Sequence, residues 1–446
     1  MKIGFIPIDN RPVCYTLPKL ISQIDESLQL VLPKRTLLGD LTKQADVEGL
    51  FNWLKTLSDV DAFIISLDTI AYGGLISSRR CEEGFLEIKN RLDSLKSFLK
   101  GKKVYAFSSI MRISNNNINE EEKFYWNKWG KKIYEYSWNV HKKGLEFASD
   151  NEIPVEILAD YLETRKRNFE INKLYLEWQK EGIFNTLIFS KDDCAEFGLN
   201  VQEANDLKNL GAIVKTGADE IPLTLLARAI DGNYIINPVY TEPSQTDLIS
   251  NYEDISIQEC LKNQVELANC EISSVDADVN LLVNNFVEKQ GEIVMNVTTK
   301  SFDGNLDLFK GCSAVVDVRF ANGADNLFVE KLFERELVDD LLCYSAWNTS
   351  ANSIGCLILT LKMILNAKKK GVFNKNAFNK LMLTRFLDDW AYQANVRQEL
   401  RSPDVVLLNQ LMKKYENKLL QKFMIEDKIN YSFPWNRLFE VEVEFI

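Results

Sequence analysis

The stretch Ala62-Phe63-Ile64-Ile65-Ser66-Leu67-Asp68 sets four apolar residues in succession, then a serine, a leucine and a carboxylate. A half-buried strand alternates apolar with polar; a run apolar on both sides suits a strand covered on both faces. Eight further runs read the same way, at 3–8, 28–32, 104–108, 186–189, 212–215, 279–283, 314–318 and 341–344, with helical stretches between them. Strands alternating with helices predict an α/β fold with a largely parallel sheet. Eight or nine strands suit a (β/α)8-like barrel, with an open doubly wound parallel sheet as the alternative, because periodicity cannot separate the two.

The long helical region 119–182 breaks near Pro154, and Thr241 to Asp254 reads as a loop around Pro243. From Asn374 the chain is mostly helical. The expected organisation is therefore an α/β catalytic-type domain over residues 1–370, with a helical C-terminal appendage, 371–446, packed on it.

The 446 residues carry a net charge of −11, which speaks against a nucleic-acid partner. The single histidine, His141, rules out a two-histidine metal site within one chain; it reads as a surface or half-buried residue. The eight cysteines include no Cys-x-x-Cys pair and read as reduced, buried thiols of a cytoplasmic protein. The N-terminal apolar run is too short for a signal peptide, and no run approaches the ~18 residues of a membrane span. The expected partner is a small molecule, a sugar above all; no membrane partner is expected, and the oligomeric state is not indicated.

The functional reading comes from the polar residues at the ends of these runs. Asp9-Asn10-Arg11, Asp68 with Tyr72-Gly73-Gly74, Arg112, Lys191-Asp192-Asp193, Asp219-Glu220, Asn284-Asn285, Asp317 to Asp325 and Trp347-Asn348 to Asn352 all lie at or just beyond predicted strand ends. Ligands bind at the carboxyl ends of parallel strands. Each Asp or Asn alone could be a helix cap, but capping does not require Arg or Trp. The candidate catalytic residues are Asp192, Asp193, Asp219 and Glu220. The candidate substrate-binding residues are Asp9, Arg11, Asp68, Tyr72, Arg112, Asn322, Asp325, Trp347, Asn348 and Asn352. Tyr72 would put a phenol at a loop tip, and Trp347 is either a sugar platform or a core residue. Asp388-Asp389-Trp390 and Arg397 read as a salt-bridged helix face. The expectation is that Asp9, Asp68, Asp192, Asp193, Asp219 and Asn348 converge on one cleft.

Paired carboxyl groups flanked by Asn, Arg, Tyr and Trp suit a carbohydrate-active enzyme, first of all a glycoside hydrolase. No cofactor is required. A second reading is an Mg2+- or Mn2+-dependent hydrolase, lyase or isomerase with oxygen ligands from Asp9, Asp68, Asp192, Asp219 and Asp317. A third is a non-catalytic sugar- or metabolite-binding protein.

Several segments in order, Pro7 to Pro12, Ser66 to Asp68 with Ala71 to Ile76, Lys191 to Asp193, Gly217 to Glu220, Trp347 to Asn352 and Pro434 to Arg437, resemble the bacterial domain-of-unknown-function family 4127 (DUF4127). That resemblance spans nearly the whole chain and implies a bacterial protein, with no mechanism attached. The Lys191-Asp192-Asp193 doublet and the Trp347-Asn348 segment are also similar in kind to barrel glycosidases of the O-GlcNAc-hydrolase family. There an Asp-Asp pair works with the substrate's own acetamido group; this is an analogy of two short motifs.

Overall fold

A computed structural model describes residues 1–147, 152–192 and 195–446. The chain divides into two compact units, one made of residues 1–10, 30–222 and 252–254, the other of 11–29, 223–251 and 255–446.

The sheet of the first unit contains β1 (Lys2–Ile6), β2 (Gln29–Val31), β3 (Ala62–Ser66), β4 (Val104–Ile110), β5 (Thr186–Lys191) and β6 (Ile213–Thr216), in the order β2-β1-β3-β4-β5-β6. From β1 across to β6 every neighbouring pair is parallel. All residues of β3 and β4 are buried, as a strand covered on both faces requires. β6 is an edge, and its Ile213 is 50% exposed.

The second unit repeats the pattern. Its five-stranded sheet contains β7 (Ile235–Tyr240), β8 (Glu271–Ile272), β9 (Val279–Asn284), β11 (Ala314–Asp317) and β13 (Cys343–Ser345), in the order β13-β11-β9-β7-β8, parallel throughout. A short β10 (Gly291–Glu292) pairs in parallel with β12 (Phe320–Ala321). Near the C-terminus β14 (Ile429–Ser432) and β15 (Glu442–Phe445) form an antiparallel pair. In both parallel sheets the second strand lies on one side of the first and the remaining strands on the other. The order therefore reverses between β1 and β3, and again between β7 and β9, which makes each a topological switch point.

All nine predicted runs fall on strands, but they do not close into one barrel. Closure would need the first and last strands of a sheet to pair. Here β2 and β6 bound one open sheet, and β8 and β13 bound the other. The sequence reading missed β7 because Pro238 interrupts it. Proline lacks the N–H that a central strand must donate. Ile236 gives its carbonyl to Ser273 on the β8 side, so by alternation Pro238 faces that side too. β8 pairs only with Ile235 and Ile236, so no partner strand remains where the N–H is missing.

The expected boundary at residue 370 is not a division between the units; residues 371–446 cluster with the second unit. The helix Ser350–Lys370 starts at Thr349, whose side chain accepts from the Asn352 N–H at 3.2 Å, and ends at left-handed Gly371 (φ 72°). Contrary to the sequence reading, this helix is long and apolar enough to cross a membrane, but 94% of its most apolar window is buried within the protein. It is a core helix. Six of the seven described cysteines are likewise buried.

Leu359 lies at the centre of this helix and is fully buried. Leu359→Ala should lower the urea-unfolding free energy by about 2–5 kcal/mol, the range for a buried leucine truncated in a close-packed core. A helix in contact with lipid would tolerate the change.

Candidate functional site

In the first unit the carboxyl ends of the strands collect charged groups around the switch point. Ser66 caps the short helix Leu67–Tyr72, accepting from the Thr69 N–H at 3.4 Å. The Thr69 hydroxyl lies 2.7 and 2.9 Å from the Pro7 and Ile8 carbonyls, so the exit of β3 is tied to the exit of β1. Asp68 sits in the first turn of this helix, fully buried, and accepts from the Ser109 N–H at 2.8 Å and the Ser108 hydroxyl at 3.2 Å. Burial outweighs these bonds and the nearby Arg79, pushing its carboxyl up to about 6. Asp9, just after β1, is also buried.

Tyr72 is not at a loop tip. It is the buried last residue of the helix, and its ring lies 5.4 Å from the Arg167 guanidinium. Its hydroxyl has no hydrogen-bond partner among the described residues, and burial drives its pKa well above the usual phenol value. Gly73 (φ 85°) and Gly74 (φ 134°) then turn the chain through conformations that residues with a Cβ rarely adopt.

Arg112, beyond β4, is the hub of a second cluster. Its Nη1 reaches Asp192 Oδ2 at 3.3 Å, its Nη2 reaches Glu121 Oε2 at 2.7 Å and its Nε reaches Glu122 Oε1 at 3.2 Å. Glu122 also lies 3.2 Å from Arg79 Nε, so one buried carboxylate bridges two guanidiniums. This fixes the fork that holds Asp192. The Asp192 side chain keeps 25% of its surface exposed. Asp193 lies outside the described residues.

At the end of β5, Lys191 is ion-paired with Asp254, whose other oxygen accepts from the Thr216 hydroxyl at 2.7 Å. Asp219 and Glu220 follow β6 and are buried. The Glu220 carboxylate turns back to accept from the Ala218 N–H at 3.1 Å. Gly217 (φ 110°) makes the room, since a Cβ there would lie 1.6 Å from Glu220 Oε1. Burial, then the neighbouring Asp219 and Glu253, raise Glu220 to about 8. Glu220 has no exposed surface, so burial favours its protonated form and the group is not open to solvent. His141 is half-buried and accepts from the Gly198 N–H at 3.1 Å.

The second unit has its own cluster. Arg319, beyond β11, donates to Asn284 Oδ1 at 3.1 Å, Thr241 Oγ1 at 3.3 Å, Glu242 Oε1 at 2.8 Å and the Lys300 carbonyl at 2.7 Å. It thereby clamps the ends of β7, β9 and β11. Asp317 accepts from Asn284 Nδ2 at 2.8 Å and the Asp325 N–H at 2.7 Å. Burial and the adjacent Asp325 push its carboxyl up to about 7. Asp325 accepts from the Phe302 N–H at 2.6 Å, and its other oxygen is buried without a hydrogen-bond partner among the described residues.

Asn322 (φ 59°) donates through Nδ2 to Glu292 at 2.8 Å, and its N–H reaches the carbonyl of Asn348 (φ 60°) at 2.8 Å. Trp347 is buried edge-on to Phe439, the core alternative rather than a sugar platform. The Asn352 side-chain oxygen is buried and has no hydrogen-bond partner among the described residues. Arg11 pairs with Glu440 at 3.3 Å and stacks 5.2 Å over Trp435.

Of the six residues expected to converge, the five that are described are divided between the units. Asp9, Asp68, Asp192 and Asp219 belong to the first and Asn348 to the second. Asp317 and Arg319 were legible as polar residues at a strand end. The roles of Arg385 and Asp389 were not. Asp389 pairs with Arg385 as a helix-face reading predicts, yet it is fully buried and accepts from the Ala346 N–H at 2.6 Å, beyond β13. It lies on the π-helical stretch Phe386–Val396, a rare geometry that often marks functional segments. Asp388, on the same stretch, is raised to about 7 by burial and by Asp389. Among the described residues no three or more His, Cys, Asp or Glu side chains are grouped so as to hold a metal ion.

Because Glu220 is raised in the folded state, its protonated form favours folding. That contribution is complete below about 4.5, its ordinary value, and is lost as the pH rises through about 8. Glu220→Gln should therefore flatten the pH dependence. Between pH 5 and pH 9 the parent should lose roughly 1–4 kcal/mol more than the variant in urea unfolding.

No curated protein and no solved structure matches this chain. One family model does, described as a protein of unknown function (DUF4127), and it covers residues 3–404. With nine-tenths of its length under that model, the chain belongs to the DUF4127 family.

Proposed function

We propose that this chain is a carbohydrate-active hydrolase whose reacting carboxylate is Asp192, working with its neighbour Asp193. The carrying observation is selective exposure. Asp9, Asp68, Asp219 and Glu220 are all buried, whereas Asp192 keeps a quarter of its side chain open at the carboxyl end of β5. A carboxylate in that place, gripped by an arginine that is itself fixed by Glu121 and Glu122, is preorganised to act on a bound substrate.

Glycoside hydrolysis needs one carboxyl group to protonate the leaving oxygen and one carboxylate to attack or to activate water. Adjacent side chains at a strand end can face different surroundings and so divide the two roles. Arg112 keeps Asp192 aimed, Glu121 and Glu122 keep Arg112 in place, and Arg79 holds Glu122 from its other side.

The test is a hydrolysis screen on aryl glycosides, N-acetylhexosaminides included, with EDTA and with added Mg2+. The expected outcome is metal-independent turnover that falls about 10²–10⁴-fold in Asp192→Asn, the usual contribution of a positioned acid or base. Turnover that requires Mg2+ would replace this reading with the metal-dependent one. Full activity in both Asp192→Asn and Asp193→Asn would remove the pair from the chemistry. Sugar binding without turnover would leave a binding protein.

A further inference from the structure

The first unit holds a cleft of about 530 Å3, within the range of small-molecule sites. Phe124 stands on one wall, 80% exposed. Its ring meets Tyr125 edge-to-face at 5.6 Å, and the Tyr125 hydroxyl donates to Asp160 at 2.7 Å. Asp160 is held in turn by Lys123 Nζ, 2.7 Å from each carboxylate oxygen. An exposed aromatic face on the wall of a cleft, braced on one edge by a hydrogen-bonded tyrosine, is a platform for the C–H face of a sugar ring. Asn119, Glu82 and Glu156 line the same cleft and offer an amide and two carboxylates to hydroxyl groups.

Charge narrows the ligand. Four carboxylates line the cleft against Arg80 and Lys123. Lys123 and Asp160 cancel, Glu122 is paired with Arg79 and Arg112, and Glu82 and Glu156 then outnumber Arg80. The surplus is negative, which repels uronic acids and phosphosugars and admits neutral or amino sugars. The cleft is also wired to the candidate reaction centre, because Glu122 lines it and fixes Arg112, which grips Asp192.

We propose that this cleft is a subsite for an outer residue of a neutral or amino-sugar oligosaccharide whose scissile bond lies at Asp192. The assignment rests on the hydrolase reading for its substrate, and the test separates the two. Binding of cellotetraose, chitotetraose and tetragalacturonate to the full chain is measured by calorimetry, for the parent and for Phe124→Ala. Because Phe124 is exposed, the variant should keep the parent's circular dichroism and unfolding midpoint. The parent should bind a neutral or amino tetrasaccharide, Phe124→Ala should bind it at least about tenfold more weakly, and tetragalacturonate should not compete.

No binding by the parent, equal binding by the variant, or a preference for tetragalacturonate would each overturn the subsite. Binding lost in Phe124→Ala with no glycoside cleaved would uphold the subsite and end the hydrolase reading. Equal cleavage of aryl monosaccharides and tetrasaccharides by parent and variant would do the reverse.

Discussion

A strand buried on both faces has nowhere to place a polar side chain except at its end. β3 and β4 are buried along their whole length, and an unpaired polar atom in such a layer costs free energy comparable to a lost hydrogen bond. The polar inventory of the first unit is therefore pushed to the strand exits. There Thr69 ties two exits together, Asp68 takes the Ser109 N–H, and Arg112 gathers Asp192, Glu121 and Glu122. The charged clusters arise from how the sheets are covered.

The same constraint operates twice. Both parallel sheets reverse order at their first strand, and both carry an arginine hub beyond a strand on the far side of that reversal, Arg112 in one and Arg319 in the other. The hubs differ in what they leave open. Arg319 is fully buried, and its guanidinium is committed to strand-end side chains and one carbonyl. Arg112 is partly exposed and holds an accessible carboxylate. That contrast is the reason for placing the proposed chemistry in the first unit.

Burial also sorts the carboxyl groups by task. Asp68, Glu220 and Asp317 are raised because desolvation exceeds what their hydrogen bonds return. Of the three, Glu220 is the one raised past neutral pH, while Asp68, raised only to about 6, relies on its Ser108 and Ser109 bonds. Asp192 is instead partly solvated and paired with a cation. Doublets that look alike in sequence, Asp192-Asp193 and Asp219-Glu220, thus begin with different environments.

The sequence by itself determined where the strands lie. Nine apolar runs became nine strands; where a strand is buried throughout, as β3 and β4 are, burial leaves a continuous apolar record, and the partly exposed β2 and β6 still kept short apolar runs. It also showed that the strand exits are polar, and it marked Asp192 and Arg112. It could not show which strands pair, since pairing leaves no local trace, and so one barrel and two open sheets read alike. It hid β7, whose Pro238 is tolerated only because β8 stops after Ile272. Only the tertiary structure decided that Tyr72 and Trp347 are core residues, that Glu220 is sealed, and that Glu122 joins the Phe124 cleft to Asp192. Exposure and electrostatic environment are set by neighbours brought from distant parts of the chain, and no spacing within a segment encodes them.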